Sequence, residues 1–279
     1  MSEHRSARAR ALAKELTDKR KPTGLTTRTA AARLSVSATT LNRIETGRRM
    51  PKPEEVSALL AIYGVVGPER KRIMELVEDV RAVGWWHVNR VHGSPMRELV
   101  HFESQASAIV NYTLGPIPGL LQTADYARAV LGAFPSARPD LERRLDERLR
   151  RQSVLHKLAS PRYTAFIDEG TLRRPFGGVD AMAEQVRWLI DMAKRPNIFI
   201  RAIPFRRGSY DQSGYFSLFD FREAPPLVFV EGSQMSGFLD EAEDIEGYQA
   251  VVESLRRIAL DSTESVGFLE RILADHERG

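Results

Sequence analysis

Between Thr26 and Pro51 the side chains that hydrogen-bond to polar edges recur at helical spacing. Thr39, Asn42 and Arg43 stand three and four residues apart, which places them with Ala38 on one face of a helix. An arginine there presents two parallel N–H donors that match O6 and N7 of guanine, a pairing worth about 1–3 kcal/mol of base discrimination. Arg43 is therefore the first candidate for reading a base pair, with Thr39 and Asn42 behind it. Thr27, Arg28, Thr40, Arg48, Arg49 and Lys52 are of types that bind phosphate oxygens. Such contacts set register and salt dependence without reading sequence.

Those side chains need two short helices held at a close crossing. The apolar periodicity predicts a first helix from Ser6 to Lys21, carrying Ala9, Leu12 and Leu16, broken by Pro22 and Gly24. A second, Thr27 to Leu34, buries Ala30, Ala31 and Leu34, the small Ala31 where two helices touch. The turn Ser35-Val36-Ser37 leads to a third helix, Ala38 to Thr46. Ser37 is its N-cap, Leu41 and Ile44 its inward pair, and Gly47 its end. Pro51 and Pro53 open a fourth, with Val56, Leu59, Leu60 and Tyr63 as a stripe. A fifth, Pro68 to Val83, carries Ile73, Leu76, Val77 and Val80.

Charge is distributed to suit that reading. Residues 1–90 carry 18 Lys/Arg against 10 Asp/Glu, whereas the remaining 189 carry 23 against 27, so the net +4 conceals a basic N-terminal part. Concentrated positive charge is the electrostatic footprint of a phosphate-binding surface.

The run Thr26-Thr27-x-x-Ala30-Ala31-x-x-Leu34-Ser35-Val36-Ser37-x-x-Thr40-Leu41-Asn42-Arg43-Ile44-Glu45-x-Gly47-Arg48-x-x-Pro51 resembles the Xre/Cro/C1 family of phage and bacterial regulators. The resemblance implies an all-α, lambda-repressor-like helix-turn-helix domain that binds double-stranded DNA at palindromic operators as a homodimer. It also gives Ala38, Thr39 and Arg43 the base-reading positions. Thr27 stands where the family commonly has Gln, and Ser35 where it usually has Gly, so Ser35 is expected at positive φ. A helical hairpin that binds protein instead of DNA is the competing reading.

From Met96 the pattern mixes helix and strand. Helices are expected at Arg97–Tyr112, Thr123–Phe134, Pro139–Leu158, Ala181–Ala193, Glu241–Ala259 and Ser265–His276. Strands are expected at Tyr163–Ile167, Ile198–Ile203, Tyr215–Phe221 and Leu227–Val230. The segments Phe102-Glu103-x-x-Ala106, Asn111-Tyr112, Ile117-Pro118-Gly119-Leu120-Leu121-Gln122-Thr123-Ala124-Asp125-Tyr126-Ala127-Arg128, Arg201-Ala202-Ile203-Pro204-Phe205 and Val228-Phe229-Val230-Glu231 are similar to the C-terminal domain of actinobacterial, WhiJ-like Xre regulators. That resemblance implies a regulatory domain of uncharacterised function, and a small BldB-like protein as a partner.

Two readings stand for the turn at Gly115–Gly119 and the helix after it. It is a packing corner with Thr123 as N-cap, or Gln122, Tyr126 and Arg128 form the wall of a ligand or partner site. Arg201 and Glu231 are taken to lie on neighbouring strands, as a buried ion pair or as part of that site. Trp85, Trp86 and Trp188 are read as packing residues.

Catalytic signatures are missing from the chain. It has no phosphate loop, no dinucleotide fingerprint, no nucleophile elbow and no His-Glu-x-x-His. His4, His87, His92, His101, His156 and His276 are scattered, and Asp168-Glu169 is read as a strand end or a helix cap. Cysteine is absent, which excludes disulfides and thiolate metal sites. The apolar runs are too short to cross a bilayer, and the first sixteen residues have no apolar signal-peptide core. The expectation is a cytoplasmic, non-enzymatic transcription regulator without cofactor or metal, acting as repressor and answering to an effector. The alternative is an antitoxin-like module controlled by the BldB-like partner. Its all-α domain spans 1–83, a linker 84–94 and an α+β regulatory domain 95–279.

Overall fold

In a computed structural model of the chain, the described residues are 7–81, 96–133, 140–208, 214–232 and 236–278. The expected linker, with Trp85, Trp86, His87 and His92, lies outside them, as do His4, Phe134 and Pro139.

Five helices form the N-terminal part: α1 (Ala7–Arg20), α2 (Thr27–Arg33), α3 (Ala38–Glu45), α4 (Pro53–Ile62) and α5 (Gly67–Arg81). The apolar positions singled out by periodicity converge in one core of Leu12, Leu16, Ala30, Ala31, Leu41, Ile44, Val56, Leu59, Leu60, Tyr63, Ile73 and Val77. Ion pairs from Arg72 to Glu15 (2.7 Å) and from Lys19 to Glu69 (2.6 Å) fasten α1 to α5.

The remainder is an α+β fold. Its elements are α6 (Met96–Gln105), β1 (Ala108–Thr113), α7 (Ala124–Gly132), α8 (Leu141–Arg151), β2 (Arg162–Asp168), α9 (Glu169–Arg173) and α10 (Val179–Met192). They continue with β3 (Ile198–Ile203), β4 (Tyr215–Asp220), β5 (Leu227–Glu231), β6 (Ser236–Leu239), α11 (Ala242–Ile258) and α12 (Ser262–Glu277). The six strands make one sheet in the order β3-β2-β1-β4-β5-β6. The pairs β1–β2 and β2–β3 are parallel, and the pairs from β1–β4 onward are antiparallel. Alternate side chains feed two cores. Ile109, Tyr163, Ala165, Ile167, Phe219 and Phe229 pack with residues of α6, α7, α10 and α12. Val110, Tyr112, Phe166, Phe216, Leu218 and Val228 pack under Ile245, Val252 and Leu255 of α11.

The expected helix Arg97–Tyr112 is corrected here: helix stops at Gln105, and Ala108–Thr113 is a strand central to the sheet. Ser107 makes the break, its N–H and hydroxyl both donating to the Asp220 carbonyl (2.8 and 3.1 Å). The run Ala-Ile-Val-Asn-Tyr-Thr then follows its strand propensity with partners on both sides. Strand β6 and the short α9 were also not read from sequence.

Helix α1 belongs to both parts. Ala11 packs against the sheet-side core, and the Arg10 guanidinium lies over the rings of Phe102 (5.3 Å) and Phe221 (4.6 Å). Beside it, burial pushes the His101 imidazole down to about 4. Lys14 and Arg10 push the same way, and Asp18 and Glu15 oppose them.

Because the folded pKa lies below the ordinary 6.5, the unfolded chain binds the extra proton first as pH falls. His101 therefore withdraws stability between pH 6.5 and about 4, and nothing further below. Urea unfolding followed over that range is expected to show a shallower loss in His101→Gln than in the parent. Parallel pH profiles for the two proteins would rule this out.

Candidate nucleic-acid interface

Helices α2 and α3 are short, and capping decides where each begins. The Thr26 hydroxyl accepts from the Thr29 N–H (3.1 Å), and the Ser37 hydroxyl from the Thr40 N–H (3.0 Å). Between them Ser35 takes φ +59°, the left-handed conformation expected at this turn. Ala30 and Ala31 are fully enclosed where the helices meet, and Leu41 and Ile44 hold the inner face of α3. Its opposite face presents Ala38, Thr39, Asn42 and Arg43, all exposed.

The groups assigned to phosphate divide. Arg28, Arg48 and Lys52 are exposed. Thr40 is half-buried at the N-terminus of α3, its hydroxyl bonded to that of Ser37 (2.8 Å). Arg49 is tied to Glu55 at 2.9 Å. Thr27 turns inward and donates to Glu45 at 3.3 Å.

Glu45 is the residue that sequence reasoning passed over, and it organises this region. Its carboxylate receives Arg20 Nε (2.7 Å) and Nη2 (3.0 Å) in a fork, together with the hydroxyls of Thr27 and Tyr63 (both 3.3 Å). Arg20 also donates to the Leu25 carbonyl at 2.7 Å. One acid thus joins α1, α2, α3 and the end of α4. Its bond to Arg20 raises that arginine's pKa, and burial beside the carboxylate pushes the Tyr63 phenol up, so both remain donors. A signal was available: a carboxylate in the last turn of a helix opposes the helix dipole, so it needs a specific cation. Just beyond, Gly47 ends α3 at φ +67°. A Cβ there would stand 3.2 Å from Arg10 Cα and 3.3 Å from the Ala9 carbonyl. Both the left-handed φ and the closeness of the α1 backbone favour glycine here.

Of the residues assigned to a second site, Gln122 and Tyr126 meet at one turn, whereas Arg128 and Arg201 are engaged elsewhere. Arg201 and Glu231 are not neighbours, because β2, β1 and β4 lie between their strands, a separation of roughly 19 Å across the sheet. Arg201 instead donates to the carbonyls of Leu260 (2.9 Å), Arg256 (3.0 Å) and Ala259 (3.3 Å), closing the C-terminal end of α11. Glu231 is exposed at the end of β5, and Arg128 is exposed and paired with Asp125 (2.9 Å) and Glu142 (3.2 Å).

Gln122 and Tyr126 are buried, and the Gln122 side-chain carbonyl oxygen accepts from Arg148 Nη1 on α8 (2.8 Å) while the other polar atoms of the two engage the turn before them. Gln122 donates to the Ile117 carbonyl (2.7 Å), and Tyr126 Oη accepts from the Ile117 N–H (3.1 Å). Gln185, fully enclosed on α10, completes the corner. It donates to the Leu121 carbonyl (2.8 Å) and accepts from the Thr123 N–H (2.7 Å). Gln152 donates to the carbonyls of Gly119 (3.1 Å) and Gln122 (2.8 Å). Thr123 is the N-cap residue of α7, without a side-chain capping bond. Asp168 caps α9 through the Gly170 N–H (2.7 Å), while Glu169 accepts from the Phe205 N–H (2.8 Å) and from Arg173 (2.6 Å).

Among the described residues no His, Asp and Glu side chains cluster closely enough to hold a metal ion, and no helix is long and apolar enough to cross a membrane. A family described as "Helix-turn-helix domain", a DNA-binding module, matches residues 5–73. A second, "Domain of unknown function (DUF5753)", matches residues 96–271. Comparison with curated proteins and with solved structures found no match.

Removing the Glu45 carboxylate leaves a partly buried guanidinium and phenol without their acceptor. Glu45→Ala is expected to cost about 2–3 kcal/mol in urea unfolding. In a double-mutant cycle with Arg20→Ala the losses should fall short of additivity by more than about 0.5 kcal/mol, and additive losses would refute the coupling. In the corner, Gln185→Met keeps the volume but orphans a buried N–H and a buried carbonyl. It is expected to cost about 2–4 kcal/mol, and a change within about 0.5 kcal/mol would mean that the corner does not depend on it.

Proposed function

This chain belongs to the DUF5753 family, and we propose that it is a sequence-specific DNA-binding transcription regulator of the Xre type. The observation that carries the reading is the outer face of α3. Ala38, Thr39, Asn42 and Arg43 stand exposed on a helix whose other face is locked into the core, and Arg28, Arg48 and Lys52 of the same domain are exposed as well. A rigid helix with polar side chains on its outer face and cations beside it is the form that enters a major groove. The basic balance of residues 1–90 supports the same reading.

In this proposal α3 lies in the groove with its N-terminal half toward the base edges. Arg43 takes guanine, with Thr39 and Asn42 at adjoining bases and Ala38 in apolar contact. Arg28, Arg48 and Lys52 hold phosphates. Thr27, Thr40 and Arg49 act one step back, because each already serves an intramolecular bond. The protein acts as a homodimer on a palindromic operator, with half-sites about 34 Å apart, and occupancy represses transcription. The second domain modulates that occupancy when it binds an effector or a small BldB-like protein of the kind that accompanies WhiJ-like regulators. No catalytic step belongs to this reading.

The test is a salt titration of binding to the fragment upstream of the protein's own gene against random DNA. The parent protein should prefer the fragment, with both affinities falling steeply as salt rises. Arg43→Ala should lose about 1–3 kcal/mol on the fragment and keep its non-specific binding. Lys52→Ala should weaken both and reduce the salt slope by about 1. No binding to any DNA at low salt would overturn the proposal.

A further inference from the structure

The chain that leaves α3 is held at both ends before it enters α4. Gly47 takes φ +67°, and the N–H groups of Arg48 (2.7 Å) and Arg49 (3.0 Å) donate to the Arg43 carbonyl. This closure is common where glycine follows a helix cap, and it sets the Arg48 backbone against the last turn of α3. Met50 packs on the core of the N-terminal part and Pro51 is buried, so the middle of the segment is seated too. Its far end, Lys52, precedes Pro53 at the start of α4. A lysine side chain has no acceptor with which to cap a helix. Glu55 supplies the bond at that end instead. One of its carboxylate oxygens accepts from the Lys52 N–H (2.7 Å), the other from Arg49 Nη2 (2.9 Å).

We propose that Glu55 is a positioning residue for DNA binding, holding residues 48–52 in the shape that delivers Arg48 and Lys52 to phosphates, with Arg49 as its internal counter-charge. The proposal rests on the DNA-binding reading above.

An acid among exposed cations weakens a phosphate-binding surface, so its presence there calls for a compensating role. The bonds of Glu55 provide one. A single bond would fasten one residue. Two bonds to the two oxygens of one planar group fix the Arg49 side chain and the Lys52 backbone relative to each other. Burial pushes the Glu55 carboxyl up, but the bonds from Arg49 and the Lys52 N–H, with the charges of both residues, outweigh it. Its pKa is lowered, and it stays ionised at neutral pH. Arg49 is spent on that carboxylate, and its Nη1 is enclosed. Arg48 and Lys52 remain as the exposed cations of the segment. Glu54 is a natural contrast, an exposed acid one residue away that takes part in neither bond.

The two roles open to Glu55 predict opposite signs. As an ordinary surface acid it repels phosphates, and removing it strengthens binding. As a positioning residue its loss loosens contacts that carry no sequence information, which weakens binding to any DNA.

The experiment is fluorescence anisotropy of the full chain with the fragment upstream of its own gene and with random DNA, each over a range of salt. The proteins are the parent, Glu55→Ala, Glu55→Gln, Glu54→Gln and the double variant Glu55→Ala/Arg49→Ala, all compared by circular dichroism. Glu55→Ala is expected to weaken both DNAs about fivefold or more and to lower the salt slope by about 1. Glu55→Gln loses the same charge but keeps one acceptor oxygen, so it should fall between Glu55→Ala and the parent. It also decides the matter if Glu55→Ala loses helicity. The double variant removes one charge of each sign and leaves no released arginine to replace a lost contact, and it too should bind more weakly than the parent. Glu54→Gln should bind at least as tightly as the parent. The proposal is overturned if the Glu55 variants bind as tightly as the parent or more so, if Glu54→Gln weakens binding equally, or if the loss is confined to the upstream fragment. A parent protein that binds no DNA would instead bring down the DNA-binding reading, and this proposal with it.

Discussion

The Glu45 carboxylate is where the geometry of the N-terminal part is settled. A helix of eight residues has little intrinsic stability and no means of setting its own tilt. Apolar packing by Leu41 and Ile44 holds α3 down but is tolerant of rotation and slide. A forked arginine and two hydroxyls converging on one acid are directional, and they come from α1, α2 and the end of α4. The face carrying Thr39, Asn42 and Arg43 is therefore aimed by bonds formed on the opposite side of the helix. Gly47 extends the same constraint by letting the chain leave α3 against the backbone of α1.

The second domain uses the same physics for a different end. Its buried and half-buried polar side chains hold backbone groups that no helix or strand ladder satisfies. Gln122, Gln152 and Gln185 satisfy the peptide groups of the turn from Ile117 to Thr123. Arg201 covers the last carbonyls of α11, and Glu169 takes the Phe205 N–H. Each of these replaces water that a closed core excludes, so each is worth most as a penalty avoided. In the Pro-Gly-Leu-Leu-Gln-Thr run the Gln122 side chain turns inward, to the Ile117 carbonyl and to Arg148.

Between the two lies α1, which contributes Leu12 and Leu16 to one core and Ala11 to the other. The residues that seat it, Arg10 over Phe102 and Phe221, are amphipathic and charged.

What the sequence determined by itself was everything governed by neighbours in the chain. Ser37 as N-cap, Gly47 as stop, the inward pair Leu41 and Ile44, and the outward set Ala38, Thr39, Asn42 and Arg43 are consequences of local geometry and helical period, and positive φ at Ser35 followed from the family resemblance. Strand β3 was legible residue for residue for the same reason. Tertiary structure alone decided the rest. Ala108–Thr113 reads as the tail of a helix until two strands flank it, because its strand propensity is expressed only with pairing partners that lie far along the chain. Arg201 and Glu231 looked like a pair only while strand order was unknown, since sequence carries periodicity but not which strands are adjacent. Glu45 could be recognised as misplaced against a helix dipole. That its partners are Arg20, Thr27 and Tyr63, however, follows only from bringing three other helices to its side, which is the work of packing rather than of local propensity.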